Sequence, residues 1–181
     1  MPRIAGIDPD AAPEPIRKVL TGSSLNLLGI VAHAESAFEP WLRYSNTLLR
    51  KLELEPLLRE LAILQVAHLC RSEYEWTQHD SIAQAVGASA AQIAAIAAGE
   101  EASESFDDRQ RLVLSFTREV VLDGAAGEAA VKRLEAELGT RQLVELLLVV
   151  GNYMGIARLI ATTGLEAQDP VVTLPPRRPA A

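Results

Sequence analysis

The chain has 181 residues, 49% of them apolar and 23% charged, which excludes a disordered chain and allows one domain, two at most, with a proper core. The net charge of -7 is a poor match for nucleic acid or an anionic membrane surface, and 4% aromatics disfavour a base-stacking platform. The single cysteine, Cys70, excludes an internal disulfide and a Cys-based zinc site and fits a reducing compartment.

The first 15 residues carry Pro2, Pro9, Pro13 and Pro15 and no apolar core of signal-peptide length. Residues 1–25 are therefore expected to form an extended arm with a short helix near Ile16, Val19 and Leu20. From Asn26, the residues Leu27, Leu28, Ile30, Val31 and Ala34 form a helical stripe, and a second helix is predicted over 39–52. Pro56 fits the first turn of a helix reaching Leu69. Ser72 with Glu75, and Ser89 with Gln92, match the capping box. Asp107 opens a helix with Leu112, Val113, Phe116 and Val120, and Gly87 and Gly124 suit helix ends.

A further helix is predicted over 128–138, ended by Gly139, and a long last one from Thr140 to about Thr163, closed by Gly164. The greasiest stretch, 143–150, is interrupted by Glu145 and is too short to span a bilayer, so a cytoplasmic protein with no membrane partner is expected. Residues 26–168 thus read as one all-α domain, followed by a Pro-rich tail over 169–181. Arg59-Glu60-Leu61 and Val144-Glu145-Leu146 form a weak internal echo, and the run from Glu100 to Asp108 reads as a solvated acidic loop.

The helix from Pro56 is apolar nearly all round, so it is predicted to be buried, with Glu60 inside it. A buried carboxylate must pair, accept several hydrogen bonds or take up a proton. One reading is a salt bridge to an arginine, such as Arg158 or one near Arg59; the other is an acid–base group with a pKa raised by burial. Downstream, Glu75 and His79 lie one turn apart and share a face, and Ser72 sits at the helix start. That set is equally compatible with a cap and a surface pair. His33 and His68 read as edge or packing histidines, and Trp41, Trp76 and Tyr153 as core, interface or pocket-wall aromatics.

Glu60, the string Cys70-Arg71-Ser72-Glu73-Tyr74-Glu75-Trp76-Thr77-Gln78-His79, and then Ala83, Gly87 and Ile93 resemble the carboxymuconolactone decarboxylase family, which includes alkylhydroperoxidase-D-like proteins. The resemblance extends more loosely from Asn26 to Gly164, including Gly151-Asn152-Tyr153. It implies an antiparallel multi-helix alkylhydroperoxidase-D-like fold and a homo-oligomer (dimer, trimer or hexamer) with active sites near subunit contacts. In the peroxidase branch a Cys-x-x-Cys precedes the His. Here Ser72 and Glu75 stand in those positions and Tyr74 replaces a His, so the redox pair is missing, and Cys70 is two residues out of place.

The decarboxylase branch implies chemistry on a small-molecule substrate with no cofactor and no metal. Its roles fall on His79 as general acid or base, Glu60 as the group that orients it or relays its proton, and Glu75 as a second carboxylate. Ser72, Tyr74 and Trp76 are the expected substrate contacts. A thiol peroxidase using Cys70, and a ligand-binding protein without turnover, are the alternatives.

Overall fold

The computed structural model describes residues 2–171, so most of the expected Pro-rich tail lies outside the described residues. A 3-10 turn at Pro9–Ala11 leads into α1 (Glu14–Thr21), α2 (Asn26–Val31), α3 (Glu35–Arg50), α4 (Pro56–Leu69), α5 (Glu73–Ala85), α6 (Ala90–Ala98), α7 (Asp108–Asp123) and α8 (Glu128–Thr163). No strand occurs among the described residues.

α4 is the axis of the fold and packs against α5, α6, α7 and α8. Pro56 sits in its first turn, where no N–H is needed. Every residue from Leu58 to Ala67 is buried. Leu58, Ala62, Ile63 and Val66 enter a core with Phe38, Phe116 and Val150, whereas Leu61 and Leu64 face a second core with Ile96, Phe106 and Leu114. Each fully buried aliphatic side chain contributes about 1.5–3 kcal/mol, so packing on both sides, rather than helix propensity, holds α4 in place.

Three local features differ from the sequence reading. α3 starts at Glu35, before Pro40, because Ala34 accepts from the backbone of Ala37 and Phe38 to close a first turn, and Phe38 is buried. Burial of that ring offsets the bond that Pro40 cannot donate. The acidic loop is not uniformly solvated: Glu101 accepts from Nε2 of the buried Gln65 at 2.7 Å and from Arg118 at 3.2 Å. α8 contains a window of mean hydropathy 1.7, long and apolar enough by composition to cross a membrane, although half of that window is buried. The run 143–150 understated it, because the helix continues through Gly151, Asn152 and Tyr153.

The break expected inside α8 is present. Gly139 has φ 77° and ψ 160°, a conformation essentially confined to glycine, and it splits the element into two helical arms. Gly139→Ala is expected to cost about 1–3 kcal/mol, read as a lower urea midpoint at unchanged m-value. An unchanged midpoint would show that the break does not need this backbone geometry.

Ser89 and Asp107 each cap a helix with a reciprocal glutamine, Gln92 and Gln110. The Ser72 cap is only half made. Its Oγ accepts from the Glu75 N–H at 3.4 Å, but the Glu75 side chain does not reach back. The link between α4 and α5 is short and passes through Arg71 in the left-handed region at φ 55°. This tight turn folds α5 back on α4 and brings Glu60 and His79 to similar heights.

Candidate active site

Glu60 has no exposed surface, and both of its oxygens are engaged. Arg59 Nε donates to Oε1 at 2.8 Å, its Nη2 lies 2.8 Å from the same oxygen as an ion pair, and His79 Nδ1 meets Oε2 at 2.7 Å. The arginine partner is thus Arg59 itself, not Arg158, which donates to the Met154 carbonyl and to Cys70 Sγ. Burial pushes the Glu60 carboxyl up, but the charges and hydrogen bonds of His79 and Arg59 more than offset it and hold the pKa below the ordinary value. The sequence reading of a raised Glu60 is corrected here. The lowered pKa favours the ionised carboxylate, which sits in hydrogen-bond contact with the imidazole.

Tyr153 from α8 packs edge-on against the His79 ring, with centroids 4.8 Å apart and planes at 88°. Its phenol is held well above the ordinary value by burial and by the negative charges of Glu60 and Glu75. With Nδ1 engaged by Glu60, the other ring nitrogen of His79, Nε2, has no protein partner among the described residues. His79 also lines a cavity of about 530 Å³, a size suited to a small organic ligand.

Glu75 lines the same cavity, one helical turn before His79. It is 2% exposed, and neither carboxyl oxygen has a hydrogen-bond partner. Burial pushes its pKa up to about 8, and the nearby Ser72 hydroxyl and Arg158 charge offset only part of that. The raised carboxyl expected at position 60 is therefore found at position 75.

The other expected contacts divide. Tyr74 lines the cavity, but its hydroxyl is in use: it accepts from the Leu27 N–H at 3.4 Å and donates to Gln168 Oε1 at 3.3 Å. Burial raises this phenol to about 12. Ser72 and Trp76 are not among the cavity-lining residues. Ser72 is occupied as the cap of α5, and Trp76 packs on the Leu61, Leu64 and Phe106 core. His33 is exposed, with its ring against the Ala5 carbonyl at 2.8 Å, and His68 is half-buried; neither lines the cavity. Cys70 also lies outside the cavity lining, and burial pushes its thiol up. Among the described residues, no group of three or more His, Cys, Asp or Glu side chains is gathered as a metal site.

Sequence reasoning missed Gln78 and the chain that crosses it. Gln78 Nε2 donates to the carbonyls of Gln168 and Asp169, and its Oε1 accepts from the Val171 N–H. The Gln168 side chain is itself tied to Asn26 and Ser24. Residues 168–171 thus form a strap beside the cavity, and Val171 lines it. No local spacing signals this, because the partners lie some 90 residues apart.

Comparison with known proteins bears on the fold. A peroxidase-related protein with an alkylhydroperoxidase AhpD core from Ralstonia eutropha JMP134 superposes with a TM-score of 0.78 at 18% identity, covering 93% of each chain. A peroxidase-related protein from Silicibacter sp. TM1040 gives 0.77 at 18% identity, covering 91% of this chain and 92% of that one. At such identity these likenesses establish an alkylhydroperoxidase-D-like fold and nothing finer. No curated protein matches the chain at a significant score. The model of the carboxymuconolactone decarboxylase family matches residues 35–119, just under half of the chain and a span that includes Glu60, Glu75 and His79, so the chain is similar to this family there.

Proposed function

We propose that the protein is an acid–base enzyme that uses its own side chains on a small organic acid or lactone, by decarboxylation or the related isomerisation or dehydration. The observation that supports this reading is the sealed Glu60–His79 pair facing a ligand-sized cavity. The ionised Glu60 accepts from His79 Nδ1 and stabilises the imidazolium, which leaves Nε2 to exchange a proton with a carbon of the substrate. In a decarboxylation the C–C bond to the carboxylate breaks, CO2 leaves, and the electron pair spreads into a neighbouring unsaturated group. The proton on Nε2 then moves to carbon, and His79 regains one from water. Arg59 and Glu60 are positioning residues in this scheme.

The thiol-peroxidase alternative has weaker support. It rests on Cys70 alone, away from the cavity and with a thiol that burial makes harder to ionise. The expected homo-oligomer is part of the same proposal. Val144, Leu147 and Leu148 leave an apolar stripe exposed on α8, and light scattering on the purified chain reads the subunit number.

The test is the pH dependence of turnover on a panel of lactones and unsaturated acids. Turnover that varies with pH in the wild type and is lost in His79→Ala is the expected result. Undiminished turnover by both His79→Ala and Glu60→Gln would remove the reading, and peroxide consumption lost in Cys70→Ser would favour the alternative.

A further inference from the structure

The cavity lining is divided by polarity. Its exposed edge carries two cations, Lys18 from α1 and Arg50 from the end of α3. Its walls are mostly apolar, with Val19, Trp41, Leu42 and Leu49 among them and Ser45 and Asn46 as the polar interruptions on α3. Its buried end holds Glu75, His79, Gln78 and Tyr74. Lys18 lies 3.4 Å from Glu14, but both side chains are exposed, and such a pair is worth little. Arg50 has no ion-pair partner among the described residues. No acidic side chain stands at the exposed edge of the lining, although the chain as a whole carries a net charge of -7.

At the buried end most hydrogen-bonding capacity is already used. The Gln78 amide holds the 168–171 strap, and the Tyr74 hydroxyl is shared between Leu27 and Gln168. What remains is Glu75, with both oxygens unpartnered, Nε2 of His79 and the Tyr153 hydroxyl, with the Ser45 hydroxyl unpartnered elsewhere in the lining. A buried polar group without a partner costs about 1–3 kcal/mol, so a ligand group that pairs with it gains that much in selectivity. A second negative charge brought to this end would find no cation in the lining there, because Arg59 is committed to Glu60 and Arg158, whose charge reaches Glu75, lies outside the lining.

We infer that the site selects a monocarboxylate with a medium-length apolar body, its carboxylate held by Lys18 and Arg50 at the edge and an uncharged carbonyl at its inner end placed against Glu75 and His79. For what happens to that carbonyl the inference rests on the acid–base reading. Within that reading it favours isomerisation or dehydration beside a carbonyl over loss of CO2, because the ligand's carboxylate is held at the edge, away from His79. The binding pattern itself does not depend on turnover.

Calorimetric titration of the full chain with octanoate, octanamide and 7-oxooctanoate at neutral pH tests it. Octanoate is expected to bind about tenfold tighter than octanamide, because two exposed cations contribute on the order of a kcal/mol together. The ketone of 7-oxooctanoate is expected to add about fivefold or more. Lys18→Gln with Arg50→Gln makes octanoate and octanamide equal. Glu75→Leu removes the ketone advantage while octanoate still binds, which also shows that the variant is folded. Glu75→Gln, whose amide still donates, keeps the advantage.

Equal binding of octanoate and octanamide by the wild-type chain, a ketone advantage that survives Glu75→Leu, or no binding of any of the three would each overturn the inference. Deuterium uptake beside the ketone in heavy water, followed by NMR, reads the chemistry separately. The expected binding pattern without His79-dependent uptake leaves the specificity standing and counts against the acid–base reading.

Discussion

Glu60→Leu is expected to destabilise the protein by about 3–5 kcal/mol at neutral pH, although the new side chain is apolar and of suitable size for a helix core. The cause is Arg59. Its guanidinium is 3% exposed, and its bonds among the described residues go to Glu60 Oε1. Without the carboxylate a cation is left buried and unpaired, and His79 loses the partner of Nδ1. For a chain of this length the melting temperature should fall by roughly 10 °C. The double variant Arg59→Met, Glu60→Leu removes both charges and should recover most of the loss.

The pH dependence has a definite sign. Glu60 is lowered in the folded state, so its stabilisation is present above the ordinary value of 4.5 and is lost as pH falls through the lower folded value. The penalty of Glu60→Leu should therefore shrink in acid. Chemical denaturation at pH 7 and pH 3.5 measures both effects, and a penalty that is small and independent of pH would mean that the pair is not charged.

The part of this site legible in the sequence lies on α4 and α5, and the reason is geometric. The two helices are adjacent in the chain and joined by a tight turn, so an apolar helix with one acidic residue, followed by a face bearing Glu75 and His79, constrains who meets whom. The Arg59 pairing was less legible, because neighbouring helical residues point about 100° apart, and only the long arginine stem allows it to curl back onto Glu60. Ser72 with Glu75 fits a capping box and a site equally well by spacing. Only the direction of one carboxyl separates the two, and that direction is set by the shape of the cavity.

Trp76 was misplaced by proximity to the motif. On a helix it falls on the opposite flank of His79 from Tyr74 and Gln78, which line the cavity, and it turns to the second core instead. The cations at the cavity edge and the strap at Gln78 come from elements far apart in the chain, and no periodicity in any one segment encodes their meeting. The weak echo of Arg59-Glu60-Leu61 in Val144-Glu145-Leu146 has a limited structural counterpart. Both glutamates are buried, but Glu145 accepts from the Leu54 N–H and from Arg141, a structural tie with no imidazole.

Glu75→Gln is expected to leave stability nearly unchanged at pH 4.5 and to raise it above the wild type as pH increases. The folded Glu75 carboxyl keeps its proton up to about 8, because burial resists ionisation, whereas the unfolded chain releases it near 4.5. Between those values the native state binds more protons than the unfolded state, so this group lowers stability progressively as pH rises, and the full cost is reached above pH 8. At about 1.4 kcal/mol per pH unit the cost is on the order of 5 kcal/mol. Glutamine has the same shape and no charge to desolvate, so it escapes that cost.

Urea midpoints of the two proteins at pH 5, 7 and 9 should diverge steadily, with Glu75→Gln the more stable at pH 9. Parallel midpoints across that range would place water or a cation at the carboxyl and remove the argument for a neutral acid at the cavity floor. Steady divergence would establish that at neutral pH Glu75 presents an O–H to the ligand. Beside a Glu60 whose pKa is lowered, fifteen residues earlier on the facing helix, that would give the cavity two carboxyl groups of opposite protonation, the asymmetry on which the proposed acid–base reading draws.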